Sequence, residues 1–344
     1  MMRDARPLVN ALREPASVEA LNGRQWTDLI SIARAESLIG SLAHRLKPVT
    51  VPDSVRAVLQ DAIEAHDLAR QQALWEADCA RRALADYPGK IVLMKGTAYV
   101  AGNRAAGVGR SIGDLDIMVD RKDLPVVEAS LLDAGWEWVK PDPYDDQYYR
   151  DHMHELPPLI HRERDRMIDV HHTILPLTAG PTPDAAAILE SAVRLDDGLY
   201  VMAPADMVLH SIAHLFADGD LAGGLRNLWD INHLLREFCG ADQQFWNELG
   251  ARAKVHGLGD ELARALRLAA SLYGTPVDQG LADRSASADS FYIRRLLARD
   301  GFGRETRKFT RFAFYVRSHW LRMPPMMLAR HLWTKWRKGG KPSN

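Results

Sequence analysis

Hydrophobic positions recur at helical spacing through residues 8–86. Leu29, Ile32, Ala33, Leu38, Ile39 and Leu42 trace one stripe, and Val55, Val58, Leu59, Ile63, Leu68, Leu74 and Trp75 a longer one. Pro52 and Asp53 open the second segment, with an acid near the positive helix end. After the break at Pro88-Gly89 the period changes. Ile91–Met94 is a short apolar run ending in Lys95-Gly96, which predicts a buried strand, a tight turn and a helix over Thr97–Gly102. Leu115–Val119 alternates, with Leu115, Ile117 and Val119 on one face and Asp116 and Met118 on the other, which predicts a half-buried strand. Asp123–Ala134 reads as an amphipathic helix closed by Gly135, and Trp136–Val139 as a strand. Leu159–His161 and Met167–His171 form an antiparallel pair around the polar turn at Arg164-Asp165. Residues 175–187, with three prolines, read as a linker, and the chain is helical from Pro204 almost to its end. The expectation is an α+β chain. A helical lead-in (1–87) precedes a mixed-sheet core (88–175), a linker with short strands (176–203), a helical region (204–290) and basic, aromatic-rich helices (291–344).

Composition narrows the class. Of 344 residues, 47% are hydrophobic and 26% charged, the balance of a soluble globular chain, and no apolar run reaches bilayer length. The first residues, MMRDARPLVNALREPAS, lack an apolar stretch with a cleavage site. Cys79 and Cys239 are too few for a disulfide framework or a cysteine-based zinc site, so a reducing cytoplasm is expected. The charge is lopsided. From Arg294 onward 14 Lys/Arg face only Asp300 and Glu305, which leaves the preceding residues with an acidic excess.

The most informative chemistry lies at Asp114 and Asp116. Two residues apart at the start of a strand, they project from one face and repel each other unless a cation lies between them. Hard divalent cations prefer oxygen ligands, and Mg2+ is commonly held by one or two carboxylates plus substrate phosphates. A third acid, Asp169, sits in an apolar strand where an unpaired charge is costly. If its strand neighbours that of Asp116, three carboxylates converge as a two-metal site requires. Taken alone, Asp-X-Asp pairs are more often solvated turns or helix caps. The position after the Lys95-Gly96-Thr97 turn raises the pair's weight, because glycine there admits a phosphate to helix N–H groups.

These motifs resemble the nucleotidyltransferase signature of the DNA polymerase beta superfamily: a strand ending at glycine, a helix, an Asp-X-Asp strand and a third acid on a later strand. They are closest to a bacterial family of uncharacterised nucleotidyltransferases. Its Leu-Lys-Gly turn, Arg-X-X-X-Asp-hydrophobic-Asp-hydrophobic motif and late hydrophobic-acid-hydrophobic-His strand are matched by Leu93–Gly96, Arg110–Met118 and Ile168–His171. The likeness runs over residues 55–240 and departs slightly at Gly96-Thr97, where Gly-Ser or Gly-Gly is usual. It implies a nucleotidyltransferase core in which Asp114 and Asp116 bridge two Mg2+ ions (Mn2+ as a substitute) holding a nucleoside triphosphate. It further implies that Asp169 binds the catalytic metal, that Gly96 and Thr97 contact the β- and γ-phosphates, and that Lys95 adds positive charge. Arg110 would neutralise phosphate or brace the loop; a plain salt bridge to one of the two acids is the competing reading.

The other polar clusters are less specific. His152, His154, Glu155, His161, His171 and His172 match no zinc signature, and strand histidines are usually hydrogen-bonded structural residues. Of these, His171 shares a strand face with Asp169 and is expected to line the active site. His210 and His214 share a helical face, and Arg226 and Asp230 are spaced to pair; bracing of helices or contact with the base is expected. The basic, aromatic C-terminal region fits an RNA surface, a membrane interface along Leu328–Trp336, or docking onto the acidic remainder of the chain. Two functional classes follow: transfer of a nucleoside monophosphate to a small-molecule, peptide, protein or RNA hydroxyl, or a catalytically idle fold acting as a binding module. Retention of all three acids favours transfer.

Overall fold

The computed structural model describes residues 2–140, 142–241 and 244–322. Four helices lead in: α1 (Arg6–Arg13), α2 (Gly23–Ala35), α3 (Ile39–Arg45) and the long α4 (Asp53–Ala83). Asn22 and Gln25 form a reciprocal capping box at the start of α2, satisfying two otherwise orphaned amides. Strand β1 (Val92–Leu93) then runs into α5 (Lys95–Ala101), followed by β2 (Leu115–Met118), α6 (Leu124–Asp133) and β3 (Trp136–Trp138). Next come α7 (Pro143–His152), β4 (Leu159–His161), β5 (Met167–His171), α8 (Ala185–Ser191), β6 (Val193–Arg194) and β7 (Tyr200–Val201). Helices α9 (Pro204–Ala213), α10 (Gly224–Ala241), α11 (Phe245–Val255), α12 (Gly259–Tyr273), α13 (Gln279–Ala282), α14 (Asp289–Leu296) and α15 (Lys308–Arg322) complete the described chain. The α+β class, with a mixed sheet between helical ends, agrees with the expectation from sequence.

The seven strands lie in the order β3-β4-β5-β2-β1-β7-β6. β2 is central, antiparallel to β1 and parallel to β5. β7 pairs parallel with β1, so the segment after the proline-rich stretch closes the sheet on that side. The half-buried strand expected at Leu115–Val119 is fully buried on both faces. Asp116 is covered because Lys95 and His171 satisfy its charge, which removes the reason for that face to meet water.

Buried side chains from Ala5 to Phe314 form one contiguous cluster spanning the lead-in helices, sheet and C-terminal helices. Part of the basic region docks on the acidic remainder: Arg295 pairs with Asp220, Arg299 with Glu36 at 2.7 Å, and Arg307 with Asp4. The Leu328–Trp336 segment lies outside the described residues. Cys79 and Cys239 are both free, and among the described residues no helix is long and apolar enough to cross a membrane.

The loop leading to Asp114 is held from behind by α3. Ser41 Oγ donates toward the carbonyls of Val108 and Gly109, and Gly109 adopts φ +69. A Cβ at Gly109 would stand 2.4 Å from the Ser41 amide and 2.5 Å from the Gly40 carbonyl carbon, both unyielding backbone. Gly109→Ala should therefore cost roughly 2–4 kcal/mol in denaturant unfolding, from left-handed strain plus a backbone clash. A cost below about 1 kcal/mol would contradict this packing.

Candidate functional site

Parallel pairing of β2 with β5 sets Asp116 directly opposite Asp169. In a parallel ladder, paired residues point to the same face, so the two carboxylates converge, and Asp114 joins them from the strand entry. The three acids present ligand oxygens within 4.8 Å of one another. Asp114 is exposed, Asp169 half-buried and Asp116 buried. Access to the cluster is thus from the Asp114 side.

Two partners hold Asp116. Lys95 Nζ donates to Asp116 Oδ1 at 2.5 Å, and His171 Nε2 lies 2.9 Å from the same oxygen. Burial alone would raise the Asp116 pKa, but the charge of Lys95 and the hydrogen bond from His171 hold it well below the ordinary carboxylate range. An ionised carboxylate only accepts, so Nε2 of His171 carries the proton. Burial pushes Lys95 down, and the charge and hydrogen bond of Asp116 more than reverse this, to about 12. Lys95 turns back to Asp116 from a left-handed backbone position (φ 46) at the strand–helix junction, a conformation that non-glycine residues rarely take.

Asp169 has the opposite balance. Burial and the charges of Glu155 and Asp116 push its carboxyl up to about 7. A half-buried acid raised by like charges fits a cation-binding position, because a divalent ion supplies the countercharge that the cluster lacks. The all-oxygen donor set suits Mg2+ or Mn2+.

The remaining predicted residues surround this cluster in supporting positions. Gly96 is buried, and a Cβ there would stand 2.7 Å from Arg110 Nε and 3.0 Å from Ile112. A side chain at this position would therefore have to displace the Arg110 stem. Thr97 is 1% exposed, its side chain turned inward. Arg110 pairs with Asp230 of α10, not with Asp114 or Asp116, and its guanidinium lies over the Tyr99 ring at 5.2 Å. The expected Arg226–Asp230 pair forms at 3.4 Å, so one carboxylate anchors two arginines. His210 and His214 share a cavity with Lys95, Arg110 and Asp230. Burial drives the His210 pKa well below that of a free imidazole. A π-helical turn at His214–Asp218 ends α9 here, a distortion that frequently marks functional positions. Glu155, which the sequence reading left among the strand-entry residues, raises Asp169. Its position shows only once the chain before β4 is seen to bridge back to His171.

A family model described as "uncharacterised nucleotidyltransferase" matches residues 22–274. The chain belongs to this family. The match extends beyond the acid-bearing strands β2 and β5 to α2 and α12, so the Ser41 and Asp230 contacts that hold the Asp114 loop fall inside the family's boundaries. No curated protein matches the chain.

The charge balance at Asp169 makes the stability of the fold depend on pH. Its folded pKa lies above the unfolded value, so its contribution to stability is full at low pH and is lost as pH rises through about 7. In chelator, the melting temperature should fall between pH 5 and 8. Asp169→Asn should flatten that fall, raising Tm at pH 8 by roughly 3 °C. Added Mg2+ should raise the wild-type Tm more at pH 8 than at pH 6 and leave Asp169→Asn nearly unmoved. Equal Mg2+ responses in the two proteins would remove Asp169 from the ligand set.

Proposed function

We propose that the protein transfers a nucleoside monophosphate from a nucleoside triphosphate to a hydroxyl acceptor, releasing pyrophosphate, and that its core is of the DNA polymerase beta type. The observation carrying this reading is the convergence of Asp114, Asp116 and Asp169 across the in-register β2–β5 pair, beside a strand–glycine–helix turn. Asp114 and Asp116 would hold two Mg2+ ions together with the triphosphate, and Asp169 would ligate the catalytic one. Bound there, the cations supply neutralisation of phosphate charge and acidification of the attacking hydroxyl. Asp169 would stand beside that hydroxyl as the carboxylate placed to accept its proton, the cations offsetting the burial and like charges that raise it in their absence. Lys95, held on Asp116, would add positive charge beside the phosphates. The amides of Gly96 and Thr97 would contact the β- and γ-phosphates, through backbone because the Thr97 side chain is buried. Arg110 braces the Asp114 loop through Asp230, and His171 positions Asp116.

The catalytic core comprises residues 88–175, and β7 extends its sheet beside β1. The two free cysteines fit a reducing cytoplasm.

Incubation with labelled nucleotides, Mg2+ and cell extract tests the reaction. Wild type should label an acceptor, and Asp114→Ala plus Asp116→Ala should reduce labelling roughly 100-fold or more while retaining the wild-type circular dichroism. If the double variant labels as wild type does, the carboxylates are not the reaction centre. If neither protein labels any acceptor, the idle-fold reading takes over.

The C-terminal surface bears on the acceptor's location. Arg295, Arg299 and Arg307 are committed to internal acids, whereas Phe309, Phe312, Val316 and Trp320 lie at helical spacing along α15 and are 93%, 66%, 47% and 65% exposed. That pattern favours an apolar membrane interface over a phosphate-binding RNA surface. The protein should float with anionic vesicles, and Phe309→Ser plus Phe312→Ser plus Trp320→Ser should cut the bound fraction about tenfold. Salt-dependent RNA binding without vesicle binding would reverse the assignment.

A further inference from the structure

Beside the three carboxylates, a second group of ligand atoms converges from His154, Glu155 and His171, all within 4.8 Å of one another. Backbone geometry builds it. Glu155 bridges antiparallel to His171, the Leu156 amide donates to the Val170 carbonyl at 2.9 Å, and the His172 amide donates to the His154 carbonyl at 2.9 Å. These bonds fix two imidazoles and a carboxylate around one point, with ring centroids of His154 and His171 5.2 Å apart.

The proton on His171 Nε2 is committed to Asp116. The opposite ring nitrogen, Nδ1, is buried, makes no hydrogen bond, and lies 3.3 Å from Glu155 Oε2; His154 Nε2 lies 3.5 Å from the same oxygen. In a neutral imidazole protonated at Nε2, Nδ1 presents a lone pair to a carboxylate. Two such acceptors in contact require a cation between them. A proton on Nδ1 is the simplest, but the approach lacks the alignment of a hydrogen bond. A metal ion fits the spacing. With bonds of about 2.0–2.1 Å, the edges of a tetrahedron measure about 3.3–3.4 Å, close to the two contacts that Glu155 Oε2 makes, and the three ligand atoms all lie within 4.8 Å.

The geometry points to a second metal site, formed by His154 Nε2, Glu155 Oε2 and His171 Nδ1, that takes Zn2+ or a related borderline transition ion. Two imidazoles and one carboxylate with the fourth position open are a zinc donor set, whereas Mg2+ selects the all-oxygen triad. The hydrogen bond from His171 to Asp116 supplies the carboxylate support that metal-bound imidazoles ordinarily have. Asp116 thereby belongs to both sites, as a ligand in one and a positioning group in the other. The site stands on its own geometry and holds whether or not nucleotidyl transfer is the reaction.

The full chain, stripped with chelator and returned to saturating Mg2+, is titrated with Co2+ as an optical probe. We expect one Co2+ per chain with ligand-field absorption, displaced by Zn2+. His154→Ala plus Glu155→Gln should weaken uptake roughly 100-fold, and Asp114→Asn should leave it intact. His154→Cys keeps a ligand in place and should add a thiolate-to-cobalt charge-transfer band, which decides the matter even if the double variant folds poorly. Absence of Co2+ uptake above Mg2+-saturated protein, uptake indifferent to the double variant, or a His154→Cys spectrum without the thiolate band would each overturn the site.

Discussion

Three carboxylates gathered within 4.8 Å of one another disfavour their fully charged state unless positive charge is supplied, and the contacts around Asp116 answer that constraint. The parallel register of β2 on β5 creates the problem by facing Asp116 with Asp169. Lys95 and His171 solve it locally for Asp116, while Asp169 is left raised and unneutralised. The asymmetry distinguishes a supported carboxylate from a responsive one: the first is fixed in charge and position, and the second changes charge near neutral pH.

The same constraint explains why helices far along the chain belong to the site. Asp230 of α10 fixes Arg110, which lies four residues before Asp114, and the Arg110 guanidinium rests over the Tyr99 ring. Ser41 and Gly40 support the loop from the other side, against a glycine whose conformation no other residue adopts without strain. The carboxylates are therefore set by backbone packed on three separate segments. Sites built in this way hold geometry better than sites on free loops.

Local pattern made the strands around Asp116 and Asp169 legible, because alternation and apolar runs are short-range signals. The convergence itself required the neighbour relation of β2 and β5, which depends on pairing across about 50 residues and is invisible to periodicity. Burial of the second face of β2 was missed for a related reason. An acid in an alternating strand reads as solvent-facing, and only the arrival of Lys95 and His171 makes its burial affordable. The competing reading for Arg110, a salt bridge to one of the nearby acids, follows sequence proximity alone, whereas its partner Asp230 lies 120 residues on. The role of Glu155 depended on a chain reversal before β4 that no local motif announces.

The position of β7 carries a consequence for how the chain is made. β1, whose end delivers Lys95 and Gly96, borders β2 on one side and β7 on the other, and β7 lies more than a hundred residues downstream. During synthesis, Val92 and Leu93 present an unsatisfied edge until Tyr200 and Val201 emerge, so the turn beside the carboxylates is among the last parts of the sheet to be enclosed. Non-local strand closure of this kind is slow and exposes apolar edge while it waits. The nascent protein is consequently most vulnerable to self-association in the interval between completing its acidic cluster and sealing the strand beside it.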